Sequence, residues 1–306
     1  MIVLLILLIL VLLLISAGYA AFFAACVRLP IPPDPDKSKS LRPYAEQIRR
    51  GAQWFRDQNP ERVQIRSDDG LRLTGYFLPV ENAKGTLLLM HGYRSDPFCD
   101  FGYSFDFYAS LGWNILAVFQ RAHGESEGQY ITFGVKERFD VRAWTLYLAD
   151  RFGPEHRIAL LGISMGSATV LMSLGTGLPK NVRCVIADCG FTSPYEQFLH
   201  MLKNRFHFPA HPIIDIADLF SRLFAHFGFR DYSTLTALAQ NKLPVLFAHG
   251  EKDNFVPIRF TVENYAACIA EKRLITVPEA GHGTSYVYAT ETCQNGIREF
   301  LQTYGE

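Results

Sequence analysis

A serine stands between two glycines, at Ser164, in the stretch RIALLGISMGSATVLM. The apolar run before it is typical of a buried strand, and the small residues after it are typical of a helix. Glycines at both flanking positions allow a sharp strand-to-helix turn that leaves the hydroxyl exposed at its apex. An ordinary turn serine is the alternative, but no dinucleotide-binding or phosphate-loop glycine pattern fits this stretch. The pattern therefore predicts that Ser164 is a nucleophile.

A serine nucleophile needs a base, and the base needs a group that orients it. Asp253 follows the strand-like run LPVLFAHG, and His282 follows the last such run, LITVP. Singly, Asp253 could cap the next helix and His282 could be a surface loop residue. Together with Ser164 they give the chain order serine, acid, histidine that accompanies this type of turn. We therefore predict Asp253 as the acid and His282 as the base, with Asp188 at another strand end as the reserve acid.

Acyl transfer also requires donors for the oxygen that becomes negative in the tetrahedral state. The backbone N–H of Tyr93, which follows MHG, and that of Met165, which follows the serine, are the candidates. We expect His91 to be a structural residue beneath this loop rather than a second base. This set of groups predicts a reaction that needs no cofactor.

From residue 85 onward, short apolar runs alternate with helix-period segments. Uninterrupted apolar runs indicate strands that are buried on both faces, as in a parallel sheet covered by helices. The predicted fold is thus α/β, with a mostly parallel, doubly wound sheet and functional groups at the carboxyl ends of its strands. An antiparallel pair of strands around Asp69 and Gly70 precedes it. The parallel strands are GTLLLMHG, WNILAVFQ, RIALLGIS, VRCVIADCG and LPVLFAHG.

A long interval after the sixth strand, about residues 191–242, predicts a helical lid over the strand ends, because loops in such folds are usually far shorter. It opens with a capping box at Ser193. Its second helix is expected to bury one apolar stripe and expose Asp215, Asp218 and Arg222. An extra packing layer without a binding role is the alternative. The predicted stripe is Ile216, Leu219, Phe220, Leu223, Phe224 and Phe227.

No charge interrupts the sequence from residue 2 to residue 27, a length sufficient to cross a bilayer. We predict a transmembrane anchor over residues 1–27, then a linker and a short amphipathic helix over residues 28–60, and the α/β domain over residues 61–306. A cleaved signal peptide and a lipoprotein signal at Cys26 are alternatives. The basic residues after the span favour a single-pass membrane protein with a cytoplasmic body, and the irregularly spaced cysteines favour reduced thiols.

The composition narrows the possible partners. Of 306 residues, 49% are hydrophobic and 20% charged, and the formal net charge is zero, so no nucleic-acid partner is expected. Four histidines lie in the predicted lid, but Pro209 separates His207 from His211, so this pair cannot form the usual helical metal site. We predict no metal, and the oligomeric state stays open.

Five motifs resemble the α/β-hydrolase family: HGYRSD, RAHGESEG, GISMG, HGEKDNFVP and GHG. Their order and spacing are similar to the monoacylglycerol-lipase and serine-aminopeptidase-like branch, and most similar to bacterial membrane-anchored hydrolases that resemble animal α/β-hydrolase-domain esterases. The resemblance covers residues 62–301. It implies the triad Ser164, Asp253 and His282 and the oxyanion donors Tyr93 and Met165.

The same resemblance implies structural roles for Arg121 and Ser126 in the RAHGESEG loop. Gln120 departs from the family, since many relatives have aspartate before the arginine.

The resulting hypothesis is a membrane-anchored serine hydrolase that cleaves carboxylic esters or thioesters of apolar acyl groups through an acyl-enzyme. Its expected partners are a small-molecule acyl ester and the membrane. A peptidase or amidase of the same fold is one alternative, because the same triad cleaves amides. An anchored binding module without catalysis is another, because a fold does not fix a function.

Overall fold

Eight strands form one sheet at the centre of the computed structural model, which describes residues 1–306. Their order across the sheet is β1-β2-β4-β3-β5-β6-β7-β8. Only the pairings β1–β2 and β2–β4 are antiparallel, and the others are parallel. The strands are β1 Glu61–Arg66, β2 Arg72–Leu78, β3 Thr86–Met90, β4 Asn114–Val118, β5 Ile158–Ile163, β6 Val182–Asp188, β7 Val245–Gly250 and β8 Lys272–Val277.

The central strands are buried on both faces, as their uninterrupted apolar sequences predict. Every residue of β3, β4, β5 and β7 is buried. Side chains of such strands cannot alternate between core and solvent, because helices cover both sides of the sheet. The mostly parallel, doubly wound sheet is therefore confirmed, as is the antiparallel pair before it.

The chain has twelve α-helices, and two layers of them cover the two faces of the sheet. One layer places Phe55 and Phe300 against one face, and the other places Trp144 and Val170 against the opposite face. The helices are α1 Ile2–Cys26, α2 Ala45–Asp57, α3 Pro97–Phe101, α4 Phe105–Ser110, α5 Glu137–Phe152, α6 Met165–Ser173, α7 Pro194–His200, α8 Ile213–Phe220, α9 Thr234–Leu238, α10 Arg259–Ala267, α11 Ser285–Tyr288 and α12 Thr290–Phe300.

Helices α7, α8 and α9 form the insert between β6 and β7. Helix α7 begins at its expected cap, where the Glu196 N–H donates to Ser193 Oγ at 3.2 Å. The predicted stripe of the second helix is confirmed for buried Phe227 and for exposed Asp215 and Arg222, but it is wrong for Leu219, Leu223, Phe224 and Asp218. Leu219 and Leu223 are 63% and 60% exposed, whereas Asp218 is 9% exposed and accepts a bond from the Phe229 N–H at 2.5 Å.

The physical reason is that small residues face the protein core on this side of the insert. Ala217 and Ala225 are buried together with Ile214 in a third apolar cluster near the strand ends. Ile216 instead lies against Gly18 of helix α1. A stripe drawn from hydrophobicity alone thus selected the side that faces α1 and the exterior.

Helix α1 is long and apolar enough to cross a membrane, a property that signal sequences share. Residues 1–16 are exposed, but Phe22 and Cys26 are 2% and 0% exposed because the last turns pack on the body. The chain then pairs with a loop of the body, since the Ile131 N–H donates to the Cys26 carbonyl at 2.7 Å. The predicted linker contains two short 3-10 turns, Pro35–Lys37 and Arg42–Tyr44, and the predicted short helix follows as α2.

Candidate active site

Ser164 lies at the sharp turn between β5 and α6. Its backbone has φ 56° and ψ −117°, a conformation that residues other than glycine rarely adopt. The flanking glycines make this turn possible. A Cβ atom on Gly162 would overlap the Gly166 carbonyl, and one on Gly166 would overlap the Met90 carbonyl. The sequence argument for glycine at both positions therefore has a direct steric basis.

Asp253 and His282 meet at the carboxyl edge of the sheet. His282 Nδ1 lies 2.7 Å from Asp253 Oδ2, and the side chain of His282 is 21% exposed while that of Asp253 is fully buried. The other carboxylate oxygen of Asp253 accepts the backbone N–H groups of Phe255 and Val256 at 2.8 and 2.9 Å. Because the Asp253 carboxylate accepts a hydrogen bond from Nδ1–H of His282, Nε2 of His282 is left as the free basic nitrogen.

Electrostatics couples these two groups. Burial alone would raise the pKa of Asp253, but the imidazole of His282 and bonds from His249 and His282 bring it below its usual range. Burial alone would lower the pKa of His282, but the charge of Asp253 and its hydrogen bond outweigh burial, so this pKa is raised. The arrangement favours an ionised carboxylate beside an imidazole that gains a proton readily.

The reserve acid, Asp188, does not contact the imidazole by hydrogen bonding. Its Oδ1 accepts the Ser285 hydroxyl at 3.4 Å, and its backbone carbonyl accepts the Ser164 N–H at 2.9 Å. Burial raises the pKa of the Asp188 carboxyl. Asp188 thus fixes the backbone of the turn, and Asp253 is the carboxylate that His282 meets.

The Tyr93 and Met165 backbone N–H groups lie on the two segments that border Ser164. Met165 is the first residue of α6, so its N–H has no acceptor within the helix. Tyr93 follows Gly92, where an added Cβ atom would lie 3.3 Å from the Ser164 Cβ atom. The Tyr93 N–H makes no hydrogen bond to another backbone group. Both donors are therefore free for an oxygen next to Ser164.

The residues beneath this loop are structural. His91 is fully buried, and it accepts the Gln120 N–H at Nε2 at 3.0 Å while its Nδ1 lies 2.8 Å from the Gly92 carbonyl. Burial lowers the pKa of His91, which favours the neutral ring. Gln120, which replaces the aspartate of many relatives, has partners for both ends of its amide. Its Nε2 donates to the His91 carbonyl, and its Oε1 accepts the Thr169 hydroxyl at 3.3 Å.

The RAHGESEG loop is held by buried polar contacts. Arg121 donates to both oxygens of Asp140 at 2.6 Å and to Asp69 at 2.8 Å. Ser126 donates to the Phe119 carbonyl at 2.6 Å and accepts the Thr74 N–H at 2.9 Å. These contacts agree with the structural roles that the family resemblance implies.

Two residues beside the site have roles that the sequence patterns do not indicate, although His123 lies within RAHGESEG. Asp100 accepts the Gly92 N–H at 2.6 Å and the Ser95 hydroxyl at 2.5 Å, and burial raises its pKa to about 6. His123 accepts the Arg94 N–H at 2.9 Å, and burial lowers its pKa to about 4. Both stabilise the loop that carries Tyr93. Loop residues brought together by folding have no periodicity, which is why sequence patterns missed them.

Ser164 lies between two cavities of opposite character. The first, of about 400 Å³, is almost entirely apolar, within the range of ligand pockets. The insert supplies Phe198, Leu202, Phe206 and Ile214 to its walls. The second, of about 720 Å³, is lined mostly by polar residues, among them His282. Its basic side chains are Lys37, Lys39, Arg94, Arg205 and Lys252.

A metal ion does not fit the one cluster of possible ligands at this site. Cys189, Asp253 and His282 place ligand atoms within 4.8 Å of one another. The 2.7 Å contact between His282 and Asp253 is a hydrogen-bond distance with no room for an ion between the two atoms. Burial also raises the pKa of the Cys189 thiol, which disfavours the thiolate that a metal would need.

Known proteins resemble this chain in both sequence and fold. The family model described as the prolyl oligopeptidase family matches residues 130–305, more than half of the chain and a range that contains Ser164, Asp253 and His282. The protein YqkD of Bacillus subtilis (strain 168) is 28% identical over 242 residues, which cover 79% of each chain.

Solved structures show the same fold at low sequence identity. The esterase Pf2001 of Pyrococcus furiosus superimposes with a TM-score of 0.66 at 24% identity, over 82% of this chain and 95% of that one. The acylaminoacyl peptidase of Pyrococcus horikoshii superimposes with a TM-score of 0.58 at 18% identity, over 79% of this chain and 41% of that one. The predicted α/β-hydrolase fold is thereby confirmed.

Proposed function

Because the chain belongs to the prolyl oligopeptidase family of α/β-hydrolases, we propose that it is a membrane-anchored serine hydrolase that cleaves esters or thioesters of apolar acyl groups. The observation that carries the proposal is the position of Ser164, which borders both the apolar cavity and the polar cavity that contains His282. An acyl chain would occupy the first cavity, and the polar leaving group would occupy the second.

The reaction follows from the roles proposed for each group. Ser164 Oγ attacks the carbonyl carbon while its proton moves to Nε2 of His282, whose charged form Asp253 stabilises. The N–H groups of Tyr93 and Met165 bind the oxygen that becomes negative. When the tetrahedral state collapses, the alcohol or thiol leaves with the proton from His282, and the acyl group remains on Ser164.

Water completes the cycle by the same steps. His282 takes a proton from water while the water oxygen attacks the acyl carbonyl carbon; when this second tetrahedral state collapses, His282 returns the proton to Ser164 Oγ and the carboxylic acid leaves. Every bond that breaks is replaced by one that forms, and no cofactor takes part.

The apolar cavity favours an ester over a peptide substrate. Its walls are almost entirely hydrocarbon, so they offer few partners for the N–H and C=O groups of a peptide chain. Amides are the substrates to compare with esters, because the fold is shared with an acylaminoacyl peptidase. Parallel measurement of nitrophenyl esters and aminoacyl nitroanilides should give much higher kcat/KM for the esters, and a preference for the anilides would contradict the proposed substrate class.

The nucleophile is tested with a fluorophosphonate probe on the full-length protein. The probe should label the wild-type protein and leave Ser164→Ala unlabelled, because the reagent requires an activated serine. Ser167→Ala is a matched control, since Ser167 is a buried serine one turn along α6. Labelling that survives Ser164→Ala would rule out this nucleophile.

We propose that α1 anchors the protein in a membrane with the body on the cytoplasmic side. The exposed apolar residues 1–16 support the anchor, and the basic residues that follow the helix support the orientation. A protease added outside intact cells should leave the body undigested, and its digestion would reverse the orientation.

A further inference from the structure

We infer that the last turns of α1 form one wall of the acyl pocket, and that the small side chains in this wall set the length of the acyl chain that the enzyme accepts. The inference rests on the proposed esterase function. Ala21, Ala24 and Ala25 of the helix line the same apolar cavity as Ser164. The amino-terminal helix would then be part of the substrate site as well as an anchor.

The wall has a defined position because the helix end is packed on the body. Phe22 and Cys26 lie in the apolar cluster that also contains Met165, the residue after the predicted nucleophile. A Cβ atom on Gly18 would overlap Ile216 of α8, so the helix and the insert approach closely at this level. Phe22 also stacks on Phe224, with ring centroids 6.0 Å apart.

Hydrogen bonds fix the end of the helix as well. The last carbonyls of a helix have no partner within it. Here the Tyr93 hydroxyl donates to the Ala25 carbonyl at 2.9 Å, and the Arg94 guanidinium donates to the Ala24 carbonyl at 2.6 Å. Beyond the helix, Arg28 donates to the Ser126 carbonyl at 2.7 Å. The body therefore holds the alanines at a set distance from Ser164.

The three alanines share one face of the helix, because residues three and four apart are neighbours on its surface. The insert lines the same cavity with large side chains, including Phe198 and Leu202. A methyl group at each position of the helical wall leaves the space between the walls open. A larger side chain there would enter the pocket and take the place of acyl methylenes.

The test compares full-length variants on nitrophenyl butanoate and nitrophenyl dodecanoate. Ala24→Phe should lower the dodecanoate-to-butanoate ratio of kcat/KM by about tenfold or more, since a single methylene in an apolar pocket changes this ratio by roughly 10- to 200-fold. Ala20→Phe is the matched control, because Ala20 lies one turn before Ala24 on the same face but outside the cavity, and helix side chains lean toward the amino terminus, away from it. It should leave the ratio unchanged.

Hydrolysis of butanoate reports that a variant is folded. If Ala24→Phe also loses that activity, the smaller changes Ala24→Val and Ala25→Leu replace it in the test. The dodecanoate-to-butanoate ratio of kcat/KM must then fall in both variants. An unchanged ratio in the folded variants, or an equal fall in Ala20→Phe, overturns the inference while the proposed function stands. Failure of the wild-type protein to hydrolyse either ester overturns the proposed function, and the inference with it.

Discussion

The Tyr93 hydroxyl donates a hydrogen bond to the Ala25 carbonyl at 2.9 Å, so that the loop beside Ser164 is joined to the end of α1. The same residue supplies one of the two backbone N–H groups proposed to bind the oxyanion. Its ring also stacks on Phe133, with centroids 5.1 Å apart. The position of this backbone donor therefore depends on a contact with the amino-terminal helix.

Tyr93→Phe should lower kcat of ester hydrolysis with little change in KM. The ring and its stacking stay, but the loop loses one neutral hydrogen bond, worth about 0.5–1.5 kcal/mol, which corresponds to a two- to tenfold change in rate. Tyr130→Phe is the control, since Tyr130 also lies beside α1, 6.0 Å from the ring of Phe22. Equal effects of the two changes would contradict the proposed link.

Asp253→Asn should lower kcat by about four orders of magnitude, as in serine hydrolases that lose the orienting carboxylate. The pH profile should change too. His282 acts as a base only when neutral, so activity rises as pH increases through its pKa, which Asp253 holds above its ordinary value against the effect of burial. Without that charge, burial is opposed only by the smaller effects of Asp188 and Asp100, and the acidic limb of kcat/KM should move to lower pH.

Asp188→Asn is the matched control for this change, because Asp188 is a buried carboxylate at the neighbouring strand end. Its side chain bonds Ser285 rather than His282. We expect a much smaller loss of kcat and an acidic limb near that of the wild type. A larger loss than that of Asp253→Asn would reverse the two assignments.

Arg121→Ala should lower the free energy of unfolding by about 3–5 kcal/mol, because removing one partner leaves a buried charge uncompensated. The side chains of Arg121 and Asp140 are 5% and 2% exposed. Arg142→Ala is the control, since Arg142 contacts Asp68 at 3.7 Å on the partly exposed surface. Denaturant titration should show a change of about 1 kcal/mol or less for this control. Similar losses in both variants would contradict the importance assigned to burial.

Leu7→Arg combined with Leu10→Arg should release the protein from membranes. Both leucines are exposed, at 53% and 51%, and nothing in the body packs on them. Each arginine near the centre of a membrane helix costs about 2.5–3.5 kcal/mol. The fraction that stays with membranes after alkaline extraction measures the effect, and the double alanine variant should remain bound. Retention of the double arginine variant would show that α1 does not span.

The strands and the turn at Ser164 could be predicted because their physical requirements are local. A strand buried on both faces needs an uninterrupted apolar run, and β5 has one. The turn needs residues without Cβ atoms at Gly162 and Gly166, and the overlaps found there show why. The pairing of Asp253 with His282 could also be predicted, since both residues follow the carboxyl ends of parallel strands.

The contacts of α1 could not be predicted from its sequence. Nearly every residue of the helix is apolar. Hydropathy therefore does not show which side of the helix packs against the protein. Ala21 and Ala24 look like ordinary residues of a membrane span. Leu219 and Leu223 were misassigned for the related reason that an apolar residue can be exposed next to such a helix.

If α1 spans a bilayer as proposed, its packing on the body limits how far the body can lie from that bilayer. The exposed stretch, residues 2–16, rises only about 22 Å at 1.5 Å per residue, whereas a hydrocarbon core is about 30 Å thick. To span the hydrocarbon core, the helix would also have to insert some of its last turns, which pack on the body. Catalysis would then occur at the headgroup layer, with Leu219 and Leu223 dipping into it, and a lipid could pass into the pocket sideways without entering bulk water.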